Sequence, residues 1–204
     1  MVKQVRAART RQSLIHAAAE VFAADGYALA SLPVISRRAG VSAGALHFHF
    51  ASKDALAAEV ESAAADSVEK LAERCREGAG ASLQLLMRTM SGLLLAVADD
   101  PVVRAGFKLS GDPSRKSGAT LLVLWHRCVR ELVLQAQSAG ELADGVSPDG
   151  AATAIVAATV GLEVAGEVGE GWLPAEPVEQ FWSLILPGLA ACPERALDWV
   201  SQEV

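Results

Sequence analysis

The stretch from Ser31 to Lys53, SLPVISRRAGVSAGALHFHFASK, constrains this chain most, because its punctuation suits two short helices joined by a tight turn. Ser31 stands as an N-cap and Pro33 falls in the first turn, where a missing N–H is tolerated, so a short helix runs through Val34, Ile35 and Ala39. Gly40 ends it by supplying the left-handed backbone that a sharp turn requires. Val41 fills the corner, Ser42 caps a second helix from about Ala43 to Phe50, and Leu46 and Phe48 are its expected packing residues.

A helix that reads DNA needs small or polar groups at its groove-facing N-terminal positions, since bulk there holds the base edges away. Ala43, Gly44 and His47 fall at i, i+1 and i+4 and share one face, while Ala45 and Phe48 are expected to turn towards the supporting helices. Lys53 follows the helix, where a cation can hold a phosphate and fix docking without reading sequence. Ser31, Ser42 and His49 complete the candidate DNA-contacting set within the motif. Ahead of it, Arg11 joins Lys3, Arg6 and Arg9 as cations that follow the phosphate backbone or reach the adjacent minor groove. Two ordinary helices joined by a glycine turn would share much of this pattern; the ordered combination of cap, turn glycine, small residues, Phe-His-Phe and Lys carries the signal.

Charge supports the same division. Residues 1–53 hold seven basic side chains against Glu20 and Asp25, a local charge of +5, whereas the rest of the chain holds eleven against twenty-two, or −11, within the total of −6. A basic head on an acidic body concentrates phosphate contacts at one end and makes binding salt-dependent. At 204 residues, 51% of them hydrophobic, the chain can bury a sizeable core and reads as soluble and globular. No apolar run reaches the roughly 20 residues of a membrane span, and Glu163 interrupts the longest candidate, Ala154 to Gly166. Cys75, Cys128 and Cys192 are few and widely spaced, and no secretory signal is visible, so a cytoplasmic setting is expected, with neither zinc spacing nor a disulfide framework.

The whole chain reads as all-α: a three-helix head with a helix-turn-helix over residues 1–53, then a helical body over 54–204, to which the resemblance given below assigns ligand binding and dimerisation. The first helix runs from about Arg6 to Asp25, with Leu14, Ile15, Ala18, Val21 and Phe22 as its packing face and Gly26 as its stop. Tyr27 either closes the small core or touches a phosphate. A fourth helix, Asp54 to about Arg76, buries Leu56, Val60, Ala64, Val68 and Leu71 and turns Glu59, Glu61, Glu69, Lys70 and Glu73 to water. It is a natural lever from head to body, and EGAGAS, from Glu77 to Ser82, is the candidate boundary. Further helices are expected over Ser82 to Ala98, from the Asp100-Pro101 start to Gly111, over Gly118 to about Ala139, from the Ser147-Pro148 start through Val164, and over Glu176 to Ala191 with an interruption at Pro187, followed by a short one near Leu197.

These residues carry a resemblance. The segment Ile35 to Leu56, with GVSAGALHFHFASKDAL inside it, resembles the DNA-binding domain of the TetR family of repressors. It departs from the family pattern at His47, where Tyr is usual, and at Ala43, where many relatives have Lys or another polar residue. DDPVVRAGFKLS, from Asp99 to Ser110, and the following Trp125 resemble the γ-butyrolactone-receptor branch of that family. The resemblance implies a homodimer on a near-palindromic double-stranded DNA operator, and a small hydrophobic ligand lying against Trp125 in the body. A core role for Trp125, filling space between helices, is the competing reading; Met87 and Met90 read as core filling. The resemblance also makes the helices near Ala151 to Gly166 and Pro177 to Ala191 the dimer-forming pair. Small residues such as Ala157, Ala158, Gly161, Ala165 and Gly166 would permit close approach, and Phe181, Trp182, Leu184 and Ile185 would supply an apolar patch. A monomer that buries these residues internally is the alternative.

Enzyme chemistry finds no footing in the spacing. His47 and His49, like His126 and Cys128, stand two apart on a helix and diverge, and there is no phosphate loop, nucleophile elbow or suggestive carboxylate pair. No cofactor and no metal is called for.

Overall fold

The computed structural model describes residues 2–78, 80–115, 120–168 and 175–203. Within them lie ten helices: α1 Val2–Leu29, α2 Leu32–Arg38, α3 Ala43–His49, α4 Lys53–Glu77, α5 Ser82–Asp99, α6 Pro101–Gly111, α7 Thr120–Ser138, α8 Pro148–Val168, α9 Ala175–Leu189 and α10 Pro193–Glu203. The only extended pairing among the described residues is a single bridge between Leu142 and Ala190. The expected start of α7 at Gly118 lies outside the described residues.

Two compact units divide the chain. One comprises residues 1–67 and 99–123, the other 68–98 and 124–204, so the chain changes unit within α4, at the end of α5 and within α7. This differs from a simple cut at residue 53, because α6 belongs with the first three helices rather than with the body.

In the first unit, Leu14, Ala18, Val21 and Phe22 of α1 form a core with Ile35, Leu46, Phe50, Leu56 and Val60, and α6 contributes Ala105 and Leu109. Gly26 breaks α1 with φ 73° and ψ 169°, a backbone that side chains rarely adopt, and one further turn follows it. Lys108 of α6 donates to the Ala23 carbonyl at 2.6 Å, close to that break. Gly106 lets α6 approach α4 so closely that a Cβ there would overlap Ala64. Glu61, expected at the wet side of α4, is instead buried. Its carboxylate meets Arg115 Nη1 at 2.7 Å and accepts from Ser110 Oγ at 3.1 Å.

In the second unit, Leu83, Leu86, Met87, Met90 and Leu93 of α5 are buried along with Trp125, Val129, Leu132 and Val133 of α7, Ala152 and Ile155 of α8, and Trp182 and Leu186 of α9. The buried methionines agree with their reading as core filling. The free N–H groups at the start of α5 are satisfied from far along the chain, since the Glu141 carboxylate accepts from Ser82 N at 3.1 Å and Leu83 N at 2.9 Å. The start signatures hold at atomic level: Asp100 Oδ1 accepts from Val102 N at 2.8 Å, and Ser147 Oγ from Gly150 N at 3.3 Å. Pro187 lies inside α9 without ending it.

Candidate nucleic-acid interface and the buried tryptophans

The turn between α2 and α3 is built as its residue types dictate. Gly40 has φ 67°, and the Ser42 hydroxyl accepts from Ala45 N at 3.2 Å, capping α3. Ser31 occupies the N-cap of α2 with extended backbone, but its side chain makes no capping bond; its carbonyl receives Val34 N and Ile35 N, each at 3.1 Å. Ala43, Gly44 and His47 are exposed on α3, Leu46 is buried, and His49 is half-buried between Phe48 and Phe50. The seven-residue helix therefore presents the expected small-residue face outward.

Phe48 departs from expectation. It is 81% exposed, and Phe50 at 3% takes the packing place. The signal was present in the spacing, because residues two apart on a helix diverge by about 200°, so Leu46 and Phe48 cannot both face inward.

Two cations expected on phosphates are engaged within the protein. Lys53 Nζ donates to the carbonyls of Tyr27 at 2.8 Å, Ala30 at 3.0 Å and Ala28 at 3.4 Å, and lies 4.4 Å from the centre of the Tyr27 ring. Its three N–H donors thus bind the turn after the α1 break to the start of α4. Arg11 pairs with Glu59 at 2.6 Å and sits 5.3 Å from the Phe50 ring centre. Arg38 pairs with Glu20 at 3.1 Å, and the exposed Arg37 donates from Nε to its own helix at the Pro33 carbonyl. Tyr27 packs 5.9 Å from Phe22 and has the Arg115 guanidinium 5.4 Å from its ring. Partial burial and, after it, the negative charge of Asp54 raise the Tyr27 phenol above its usual range, so it stays neutral.

Trp125 in the second unit is 0% exposed, and its indole N–H donates to Thr159 Oγ1 at 3.2 Å, while the Thr159 hydroxyl donates to the Ile155 carbonyl at 2.8 Å. Its one polar group is therefore already satisfied. Trp182 is equally buried and belongs to the core rather than to the outer apolar patch expected of it. The exposed large apolar side chains of these two helices are instead Val164 on α8 and Leu184 on α9, the latter 80% exposed, and the small residues Ala157, Gly161, Ala165 and Gly166 of α8 are exposed as well. A groove of about 340 Å³ runs between these helices, lined by residues including Ala151, Ile155, Phe181 and Ile185. A second cleft of about 400 Å³ lies between the end of α4 and α7, among Glu69, Glu73, Arg76, Arg127, Cys128 and Glu131. Trp125 lines neither. Among the described residues no group of three or more His, Cys, Asp or Glu side chains is placed to hold a metal ion.

Comparison with known proteins places this geometry. Residues 14–60 match the model of bacterial regulatory proteins of the TetR family. Over 191 residues the chain is 33% identical to the A-factor receptor protein of Streptomyces griseus, covering 93% of this chain and 67% of that protein. A solved γ-butyrolactone receptor, an ArpA-like protein, superposes with a TM-score of 0.83 at 27% identity, covering 97% of this chain and 98% of the other. The TetR family protein CprB of Streptomyces coelicolor, solved in complex with its biological operator sequence, superposes with a TM-score of 0.81 at 27% identity, covering 97% of each chain.

Proposed function

This chain belongs to the TetR family of bacterial regulatory proteins, in its γ-butyrolactone-receptor branch, and from that premise we propose how its own residues bind DNA and answer a ligand. It is a ligand-responsive DNA-binding repressor and not an enzyme. The observation that carries the DNA-binding reading is α3 itself: a capped helix after a left-handed glycine, with Ala43, Gly44 and His47 facing outward on the basic end of the chain. His47 donates to a base edge or phosphate, Ala43 and Gly44 admit the backbone close to the bases, and Arg6, Arg9 and Arg37 supply phosphate contacts. With Lys53 and Arg11 held by internal partners, their contribution is to fix α3 and α4 in the docking geometry.

Two copies pair through α8 and α9. Their exposed Leu184, Val164 and small residues form a face that water solvates poorly and a second copy would bury. Paired recognition helices spaced by about 34 Å read two half-sites of a near-palindromic operator in successive major grooves. The inducer is a small hydrophobic molecule, a γ-butyrolactone in the first reading, which lodges against Trp125 on α7. Differential affinity for one tilt of α4, which runs through both compact units, changes the spacing of the paired heads and releases the operator. A repressor that works on operator DNA acts in the bacterial cytoplasm, the setting that also suits its few, widely spaced cysteines.

One observation favours a second reading, that of a pseudo-receptor answering to an antibiotic-like product or to no ligand. Trp125 is fully buried and its N–H is spent on Thr159, so a lactone carbonyl must displace that bond. Gel-shift titration at fixed salt against the DNA upstream of the coding region, with and without a γ-butyrolactone panel, separates the readings. Release by a lactone in wild type but not in Trp125→Ala supports the receptor. Specific binding that no lactone disturbs supports the pseudo-receptor, and equal affinity for unrelated sequences would leave only a general DNA-compacting protein.

A further inference from the structure

The outward arc of α3 has four members, and the most exposed large one has no structural task. At about 100° per residue, Ala43, Gly44, His47 and Phe48 fall within an arc of about 140°, while Ala45, Leu46 and His49 turn inward. Burial follows this division, with the first four exposed and the last three half-buried or buried. Phe48 leaves 81% of its surface to water, and its only ring contact among the described residues is edge-on to His49, 5.2 Å between centres. A phenylalanine gains nothing by standing in water, so this ring is matched to an apolar feature of whatever the face meets.

Charge and chemistry identify that feature. The face belongs to the basic segment of the chain, with +5 over residues 1–53, and carries no carboxylate of its own, which suits a polyanion. It also lacks the side chains that read purines by paired hydrogen bonds: no Arg, Lys, Asn or Gln stands on the arc, and His47 is its one polar side chain. The apolar group that a base presents in the major groove is the C5-methyl of thymine. Resting on the DNA-binding reading above, we infer that Phe48 is a specificity-determining residue that recognises the C5-methyl group of one thymine in each operator half-site. Phe48 reads the methyl, His47 supplies the directional hydrogen bond, and Ala43 with Gly44 allows the ring to reach groove depth.

The test uses the full-length protein and duplexes it selects from a random pool. Each thymine of the selected half-site is replaced in turn by deoxyuridine, which keeps the base pair and removes only the methyl. The expected result is one sensitive position, with affinity falling about fourfold per half-site and about fifteenfold when both halves are changed, the scale of one buried methylene group per contact. Phe48→Ala binds the thymine and uracil duplexes alike, and Phe48→Leu retains part of the discrimination, both with an unchanged melting temperature. A wild type insensitive at every thymine, or a Phe48→Ala protein that still discriminates as wild type does, overturns the inference while leaving sequence-specific binding intact. Selection that yields no preferred sequence overturns the DNA-reading proposal together with it. A Phe48→Ala protein whose sedimentation shows a changed oligomeric state would make Phe48 a contact between copies, and the inference fails.

Discussion

Arg115 Nη1 lies 2.7 Å from Glu61 Oε2, with the two side chains 1% and 5% exposed, so a full ion pair is buried in the unit that carries the DNA-reading helices. The pair draws in Ser110, whose hydroxyl donates to Glu61 and accepts from Leu121 N at 3.3 Å, near the start of α7. Removing one member leaves a charge in a dry site, so Arg115→Met is expected to destabilise the protein by about 3–5 kcal/mol. The double variant Glu61→Gln with Arg115→Met should recover much of that loss. Urea melts of wild type, both single variants and the double variant check both statements, and a double-variant cost equal to the sum of the two single costs would show that the charges are not coupled.

Lys53 offers a direct contest between phosphate contact and internal lock. With its N–H groups on three carbonyls, Lys53→Met should cost stability on the scale of at least one charge-assisted hydrogen bond, about 1.5–3 kcal/mol. The slope of operator affinity against log salt should stay as in wild type. A slope reduced by about 1 with stability unchanged would return the residue to the phosphates.

Gly106 and Gly161 should respond oppositely to the same methyl group. At Gly106 the added carbon collides with Ala64, so Gly106→Ala is expected to cost about 1–3 kcal/mol of stability. At Gly161 an added Cβ would meet nothing within 4 Å beyond its own helix backbone, and alanine is the better helix former by about 0.8–1.0 kcal/mol, so the isolated subunit should tolerate or gain from the change. If two copies meet there, Gly161→Ala weakens the dimer instead, which sedimentation equilibrium reads directly.

Leu184→Glu tests the pairing face more severely. The side chain is 80% exposed in the single chain, so the substitution should leave helix content and subunit folding unchanged. Two carboxylates driven into a buried interface should shift the protein to monomer and abolish binding to a two-half-site operator while single half-sites bind as weakly as before. A dimer that survives moves the interface elsewhere.

The cysteines should react in order of burial. Cys192 is exposed, whereas burial raises the Cys128 thiol above its usual range, with the nearby Arg76 only partly opposing. A raised thiol pKa favours the neutral form in the folded state, so its contribution to stability is complete below the unfolded value and fades as pH rises through the folded one. At pH 8 iodoacetamide should label Cys192 first and Cys128 only on unfolding, as peptide mass mapping would show.

What could be read in the residues was what depends on near neighbours along the chain. Gly40, the Ser42 cap and the Asp100-Pro101 start rest on backbone conformation or on atoms a few positions away, and each stands as expected. Ser31 sits at its expected N-cap but without the side-chain bond, since nothing local decides between solvent and the helix for its hydroxyl. Glu61 was placed in water because periodicity treats a carboxylate as polar; the arginine that allows its burial comes 54 positions later and reaches it only through the fold. The internal bonds of Lys53 could not be read in advance, because its acceptors are carbonyls freed by a helix break, and a sequence does not display where carbonyls point. Phe48 is different: helical spacing alone opposed its assignment to the core.

The assignment of α6 to the first unit has a consequence in time. The helix-turn-helix is complete at residue 53, yet the apolar side of α1 is covered in part by Ala105 and Leu109, and Lys108 fastens the chain near the α1 break. During synthesis, those groups leave the ribosome only after all of α5 has been made. The nascent head must wait with part of its core bare, and an isolated fragment ending at residue 67 would wait indefinitely.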